Sequence, residues 1–290
     1  MFIEFIVVDE VWKKLDMNTI VQLIVDISVG GINKSDISEG GSICWHHVPL
    51  SHRFKETLFG ITLGVIFLLY GFLRHSPPKS HSNIKNAYLK WVTFTLYVIF
   101  IVEIGYKIVS KQVIFLWMPC HLITICQIYL LTSLLLGKET LYNEYIFRIM
   151  LHFLHGPFTA LLFPVTDCLR LPYEVEVYWI QHFFILCLTP LYLMKYHFNL
   201  SNPGEFSWSW SYLSYGIWML IHWIILHGIS LITSANVGSM LCPASSDPFA
   251  GKHYRLYGIC HQLFCIILIG QIWSCIESYF LRPFTIQKFE

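Results

Sequence analysis

Residues 91–110 read WVTFTLYVIFIVEIGYKIVS, from Trp91 to Ser110, and in those twenty positions the only charges are Glu103 and Lys107. Twenty residues of helix rise about 30 Å, which is the thickness of a bilayer's hydrocarbon core. A water-soluble fold has no use for such a stretch, and the chain carries several. Of its 290 residues 55% are hydrophobic and 17% aromatic, and only 13% are charged. A typical soluble domain carries about 25% charged residues. The net charge of +1 implies neither a polyanion nor a nucleic acid as partner.

Apolar runs bounded by charge, Pro and Gly give seven segments, at 56–73, 91–110, 113–136, 145–165, 174–194, 210–232 and 256–280. The expected fold is all-α, a polytopic membrane helix bundle of about seven transmembrane helices. Residues 1–52 form a tail of amphipathic or irregular structure, and 53–290 form the membrane domain that holds any active site. Only Ser110, Lys111 and Gln112 part the second segment from the third, so a tight re-entrant turn is an alternative there. The opening stretch MFIEFIVVDEVWKKLD lacks the basic start and small-residue cleavage site of a signal peptide and is read as mature chain.

Seven spans place the tail and the 2–3, 4–5 and 6–7 loops on one side, side A, and the remaining loops and the C-terminus on side B. Near the membrane, side A carries Arg53, Lys55, Lys107, Lys111, Arg170, Lys252 and Arg255. Side B carries Arg74, Lys79, Lys85, Lys90, Lys138, Arg148, Lys195, Arg282 and Lys288, which leans toward side B as cytoplasmic. Two sequons, Asn33-Lys34-Ser35 and Asn199-Leu200-Ser201, fall on opposite sides, and Asn199 lies too close to a span for easy modification. A lumenal side A satisfies both signals. Cys44, Cys168 and Cys242 lie in the tail and loops of that side, so one disulfide among the three is expected, its pairing left open by the residues alone.

Ionisable groups inside spans are costly and mark cavities or sites. Cys120 lies about seven residues into the third segment and His182 about eight into the fifth, which puts both some 10 to 12 Å below side A. His261, His227, Glu103 and Lys107 fall in the same half of the bilayer, whereas His152 and His155 fall toward side B. A polar chamber opening toward side A follows. Set against this, Glu103 and Lys107 at i, i+4 read as a structural ion pair. His152, His155, His222 and His227 read as interhelical packing groups, and His121, about 100° round the helix from Cys120, as a supporting or packing group. Cys126, Cys187, Cys260, Cys265 and Cys275 read as small hydrophobes.

Cys120 stands apart because Pro119 removes a backbone donor and disturbs the helix, exposing polar backbone to a cavity. A reactive thiolate needs a base beside it, which His182 at matching depth supplies. Three histidines and one thiol could in principle converge on a metal, but no close-paired zinc spacing is present, and no metal or other cofactor is expected. No Walker loop, dinucleotide fingerprint, nucleophile elbow or HExxH motif occurs.

Four segments carry a family likeness: Val102-Glu103-Ile104-Gly105-Tyr106-Lys107, Pro119-Cys120-His121, Glu174-Val175-Glu176-Val177-Tyr178-Trp179-Ile180-Gln181-His182, and Met240-Leu241-Cys242-Pro243 running into Ser246-Asp247-Pro248-Phe249. With Leu162-Phe163-Pro164 and His261-Gln262 they resemble the transmembrane protein 164 family, over about 95–262. That family is regarded as lipid acyltransferases of the endoplasmic-reticulum membrane, distantly similar in fold to the androgen-induced multispan hydrolases of fatty-acid esters. The resemblance implies cofactor-free transfer of an arachidonoyl-type chain from phosphatidylcholine to a lyso ether phosphatidylethanolamine, with links to ferroptosis and autophagy. It also implies placement in the endoplasmic reticulum, with the Golgi as the alternative, where the lumenal side A read from charge and sequons puts the N-terminus in the lumen and the C-terminus in the cytoplasm.

The family's catalytic cysteine falls on Cys120 and its histidine on His182. Its tail cysteine and its Leu-Cys-Pro cysteine imply a Cys44–Cys242 disulfide. Where the family usually has Asn before the Pro-Cys pair this chain has Met118, so an oxyanion role for that amide is absent. His261, Glu176, Asp247 and His121 are candidate supporting groups, and Lys107 and Arg255 candidates to meet a head-group phosphate. The expected partners are a phospholipid donor, a lysophospholipid acceptor and the surrounding membrane lipids. The competing classes are a lipid ester hydrolase using the same residues and a seven-span receptor or transporter.

Overall fold

The computed structural model describes residues 17–36, 38–77, 88–138, 140–198, 208–277 and 281. The Asn199 sequon, residues 1–16 of the tail and the side-B cations Lys79, Lys85, Arg282 and Lys288 lie outside the described residues.

Ten helices make up the architecture of the described residues: α1 (Met17–Val29), α2 (Gly41–Trp45), α3 (Leu50–Arg74), α4 (Tyr88–Val109), α5 (Pro119–Leu135), α6 (Leu141–Phe153), α7 (His155–Leu162), α8 (Glu174–Tyr196), α9 (Trp208–Thr233) and α10 (Tyr254–Ile276). Among the described residues there is no strand, only an isolated bridge between Gly40 and Ala235. Helices α3, α4, α8, α9 and α10 are each long and apolar enough to cross a bilayer. Their outward faces present Leu69, Phe72, Phe94, Ile101 and Phe264 unburied, as lipid-facing side chains are. The chain is an integral membrane protein.

Among the described residues five helices, not seven, reach span length, and the third and fourth segments are where the expectation departs from the structure. Lys111 adopts a left-handed conformation (φ 55°), a 3-10 turn covers Val113–Trp117, and α5 begins afresh at Pro119, leaving 17 residues. The link between α4 and α5 is therefore a compact turn, and the third segment starts six residues later than its hydropathy suggests. The fourth segment breaks at Leu154 into α6 and α7. Gly156-Pro157 accounts for the break: Pro157 has no N–H to return to the carbonyl of Phe153.

Two of the long helices contain a wider, π-helical turn, at Phe184–Leu188 in α8 and at Ile221–Leu226 in α9. Such turns leave a backbone carbonyl without its regular partner. In α8 the freed carbonyl of Ile185 is taken by the amide of Gln127 from α5 (2.7 Å), and one turn earlier Gln181 donates to Thr124 Oγ1 (3.3 Å). These two bonds fix the register of α5 against α8. A close backbone approach joins α3 to α9, where Gly71 faces Leu213 and Gly216 faces Leu68 with no room for a Cβ.

The side-A end is closed by a polar cap. Glu39, 1% exposed, accepts from the Asn33 N–H (2.6 Å) and Gln112 Nε2 (3.2 Å) and pairs with Arg170. Burial nevertheless pushes its carboxyl above the usual carboxylate range, against the Asn33 N–H and Arg170. Asn236 accepts from the N–H groups of Leu241 and Cys242, donates to the Cys242 carbonyl and, through its own N–H, to the Glu39 carbonyl. Beside it a disulfide joins Cys44 to Cys242, with Cα atoms 5.2 Å apart and 198 residues between them in sequence.

Candidate functional site

A cavity of about 660 Å³ lies beneath the cap, walled by α5, α7, α8, α9 and α10 and by the loop that follows Cys242. Cys120 opens onto it from the second position of α5, because Pro119 occupies the first. Here the sequence reading of Pro119 needs correcting. A proline at the first helical position lacks an N–H that would have had no intrahelical acceptor anyway, so it starts α5 cleanly instead of disturbing it. What it gives Cys120 is a place at the positive end of a 17-residue helix, where a thiolate is stabilised.

Two histidines meet the Cys120 thiol. His182 approaches from α8 and shares the cavity wall with it. Its Nδ1 donates to the Tyr178 carbonyl (2.8 Å), which leaves Nε2 as the nitrogen with a free lone pair, and its ring lies against the Tyr178 ring at 4.0 Å between centroids. Tyr178 in turn donates its hydroxyl to the Ala160 carbonyl at the end of α7 (2.7 Å). The second histidine is His121, whose Nδ1 is 3.7 Å from Cys120 Sγ and whose Nε2 is 3.7 Å from Glu103 Oε2. Its ring turns back along the helix surface, so the 100° offset between neighbours does not keep it from the thiol.

Glu103 and Lys107 do not form the expected ion pair with each other. Glu103 faces His121, and Lys107, 5% exposed, reaches Glu174 on α8 (3.0 Å). Glu174 also accepts from the N–H groups of Arg170 and Leu171, so Lys107 is a strut between α4 and the start of α8, not a group that meets a head group. Glu176 is exposed and off the cavity wall, which rules it out as the group orienting His182; one residue pair earlier, Glu174 is the buried acid.

His261, Asp247 and Arg255 all line the cavity. His261 Nε2 lies 3.3 Å from Cys265 Sγ, and Asp247 accepts the Phe249 N–H at 2.8 Å. His155 and His222, read from sequence as packing groups, are also on the wall. A straight-helix depth count puts His155 toward side B, whereas the structure brings it to the same cavity wall as Cys120, after the break at Leu154. Its Nδ1 donates to the His152 carbonyl (3.1 Å) and its ring meets Trp218 edge-on. His222 sits in the wide turn of α9, 3.4 Å from the amide of Gln262. His152 and His227 do pack, against Ser211 and Thr57.

The positioning side chains Thr124, Gln127 and Gln181 escaped the sequence reading. An amide or hydroxyl inside an apolar segment was the available signal. Met118 occupies the family's Asn position, and its sulfur lies 3.1 Å from the Gly238 N–H. Cys168, in the loop before α8, is held above the ordinary thiol range by burial and so stays protonated. Among the described residues no three His, Cys, Asp or Glu side chains are placed to hold a metal ion.

The arrangement is that of a thiol at a helix N-terminus, one histidine backed by a carboxylate, another fixed by a backbone carbonyl, and a partly open cavity able to take part of a lipid. No solved structure matches the chain. A protein of Dictyostelium discoideum described as transmembrane protein 164 homolog is 27% identical over 218 residues, covering 73% of this chain and 74% of its own length. The model of the TMEM164 family matches residues 47–273, from the side-A end of α3 almost to the end of α10. The chain belongs to the TMEM164 family.

Proposed function

We propose that the protein is a membrane phospholipid acyltransferase that works through an acyl-cysteine intermediate. The observation that carries this reading is Cys120 at the start of α5 with His121 and His182 both at its sulfur and a cavity in front of it. A buried packing cysteine needs neither histidine.

In the first half-reaction His182 Nε2 takes the thiol proton and Sγ attacks the ester carbonyl carbon of a donor phospholipid. The charge on the carbonyl oxygen is met by the first-turn N–H of Cys120, which has no intrahelical acceptor. The C–O bond breaks, His182 returns the proton to the departing lysolipid oxygen, and the acyl chain stays on sulfur as a thioester. In the second half His182 takes the hydroxyl proton of an acceptor lysolipid, whose oxygen attacks the thioester. The thiolate leaves and recovers the proton. His121, with Glu103 behind it, holds positive charge beside the thiolate in both halves. One ester is exchanged for another, so the transfer is nearly thermoneutral, and the exclusion of water decides transfer over hydrolysis.

The family resemblance supports phosphatidylcholine as donor of a polyunsaturated chain and a lyso ether phosphatidylethanolamine as acceptor. The Cys44–Cys242 disulfide supports a side A in an oxidising lumen, as the endoplasmic reticulum provides. The third segment and the broken fourth are read as completing a seven-span bundle.

Purified protein given phosphatidylcholine labelled on its acyl chain is expected to show an intact-mass increment of one acyl group that maps to Cys120 and is missing in Cys120→Ala. Label should then pass to an added lyso-acceptor. Free fatty acid as the only product, with acceptor in excess, would make the protein a hydrolase. A lipid profile untouched by Cys120→Ser would sink the enzymatic reading and favour a receptor or transporter.

A further inference from the structure

The cavity wall contributed by the start of α10 differs in charge from the wall at Cys120. Arg255, 4% exposed, donates from Nη2 to Thr57 Oγ1 (3.1 Å) and has Nη1 3.4 Å from Glu56 Oε2. Nη1 is taken up by that ion pair, but the Nε hydrogen has no hydrogen-bond acceptor, and the buried hydroxyl of Tyr254 beside it has no partner either. Buried polar groups are nearly always satisfied, so unpaired donors on a cavity wall call for an acceptor-rich ligand.

The charge balance points the same way. Arg53, also buried, neighbours Glu56 and directs its guanidinium to the carbonyls of Trp45 and Val48. Two buried guanidinium groups thus share one buried carboxylate. A buried charge without a partner is costly, and an anion at Arg255 relieves it.

At the rim the sign reverses. Asp247 is partly exposed and lines the cavity, and the exposed rings of Phe249 and Tyr257 lie with centroids 6.0 Å apart. A carboxylate beside two exposed aromatic faces suits a quaternary or primary ammonium group.

We infer that this wall is a head-group site for zwitterionic glycerophospholipids, with the phosphodiester on Arg255 and Tyr254 and the ammonium on Asp247 between Phe249 and Tyr257. The inference rests on the lipid-substrate reading above and names the part of the lipid that the cavity reads. It differs from a general affinity for anions, because Asp247 disfavours a lipid that carries net negative charge.

Lipid capture without turnover separates the two claims. Cys120→Ala protein in detergent is offered equimolar dioleoyl phosphatidylcholine, dioleoyl phosphatidylglycerol and dioleoylglycerol, and bound lipid is counted by native mass spectrometry. Phosphatidylcholine should exceed dioleoylglycerol by about tenfold, the value of one charge-assisted hydrogen bond, and Arg255→Gln should remove most of that margin. Asp247→Asn, a change in an exposed loop that leaves the buried cluster untouched, should raise phosphatidylglycerol relative to phosphatidylcholine several-fold. Millimolar inorganic phosphate should leave capture unchanged.

An unaltered phosphatidylcholine to phosphatidylglycerol ratio in Asp247→Asn overturns the site, even if Arg255→Gln fails to fold. Displacement by inorganic phosphate overturns it in favour of a soluble anion. A head-group preference that persists although Cys120 never carries an acyl group would leave this site standing and remove the acyl-transfer reading.

Discussion

The two histidines at Cys120 are held in different ways, and the difference assigns them different work. His182 is fixed by the Tyr178 carbonyl and ring, which sets its tautomer but brings no charge. His121 instead faces the Glu103 carboxylate, 3.7 Å from its Nε2. Exchanging that carboxylate for an amide should leave the donor KM near its original value while lowering kcat by about tenfold, in the range of a lost charge-assisted contact. Glu103→Gln kinetics against a phosphatidylcholine donor provide the check, and Glu103→Asp should recover part of the loss. Unchanged kcat in Glu103→Gln would reduce His121 to a packing group.

The meeting of Cys120 and His182 could be anticipated from sequence, because both sit at a countable depth below the same face. The part played by His121 could not. It depends on α5 beginning at Pro119 and on which way one imidazole turns, and neither is a matter of hydrophobic period. Glu176 and Glu174 show the same limit from the other side. Two acids two residues apart lie on different sides of a helix start, and only packing decides which is buried.

At the scale of elements, hydropathy located the five helices that reach span length and misjudged the third and fourth of its seven segments. Glycine and proline explain both errors. Pro119 begins a helix inside an apolar run, and Gly156-Pro157 divides one, while a sliding average of side-chain hydrophobicity sees neither. The wide turns in α8 and α9 were equally hidden, although each lies at a cavity histidine: the first begins two residues after His182, and the second contains His222. Gln127 is the price of the first. Replacing it with Leu leaves the Ile185 carbonyl buried and unpaired, at a cost of about 1–3 kcal/mol. A thermal-unfolding scan in detergent should record a lower Tm for Gln127→Leu. If the Tm holds while activity falls, the bond serves the placement of His182 alone.

At the scale of the whole molecule, the tail is part of the domain and not an appendage to it. Glu39, Asn236 and the Cys44–Cys242 bond tie it to the loops on either side of the cavity, and the loop after Cys242 supplies Asp247 to the cavity rim. Opening the disulfide should loosen this cap while the helices stay inserted. In practice, reduced protein or Cys44→Ser is expected to be cut by trypsin at Lys34 several-fold faster than the oxidised form, with cleavage inside α3–α10 unchanged. Equal rates at Lys34 would mean that the polar contacts hold the tail without the bond. From sequence residues 1–52 read only as a tail of amphipathic or irregular structure; the docking of its described part depends on contacts more than a hundred residues away, which no local pattern encodes.

The same bond sets an order of events in the making of the protein. Cys242 stands in the last connection before α10, so its partner near the front of the chain must wait until almost everything else has left the ribosome. During that interval Cys44 is an unpaired thiol, open to mispairing with Cys168. The bond is therefore a late event in biosynthesis, and a chain that stalls before its last loop emerges never acquires it.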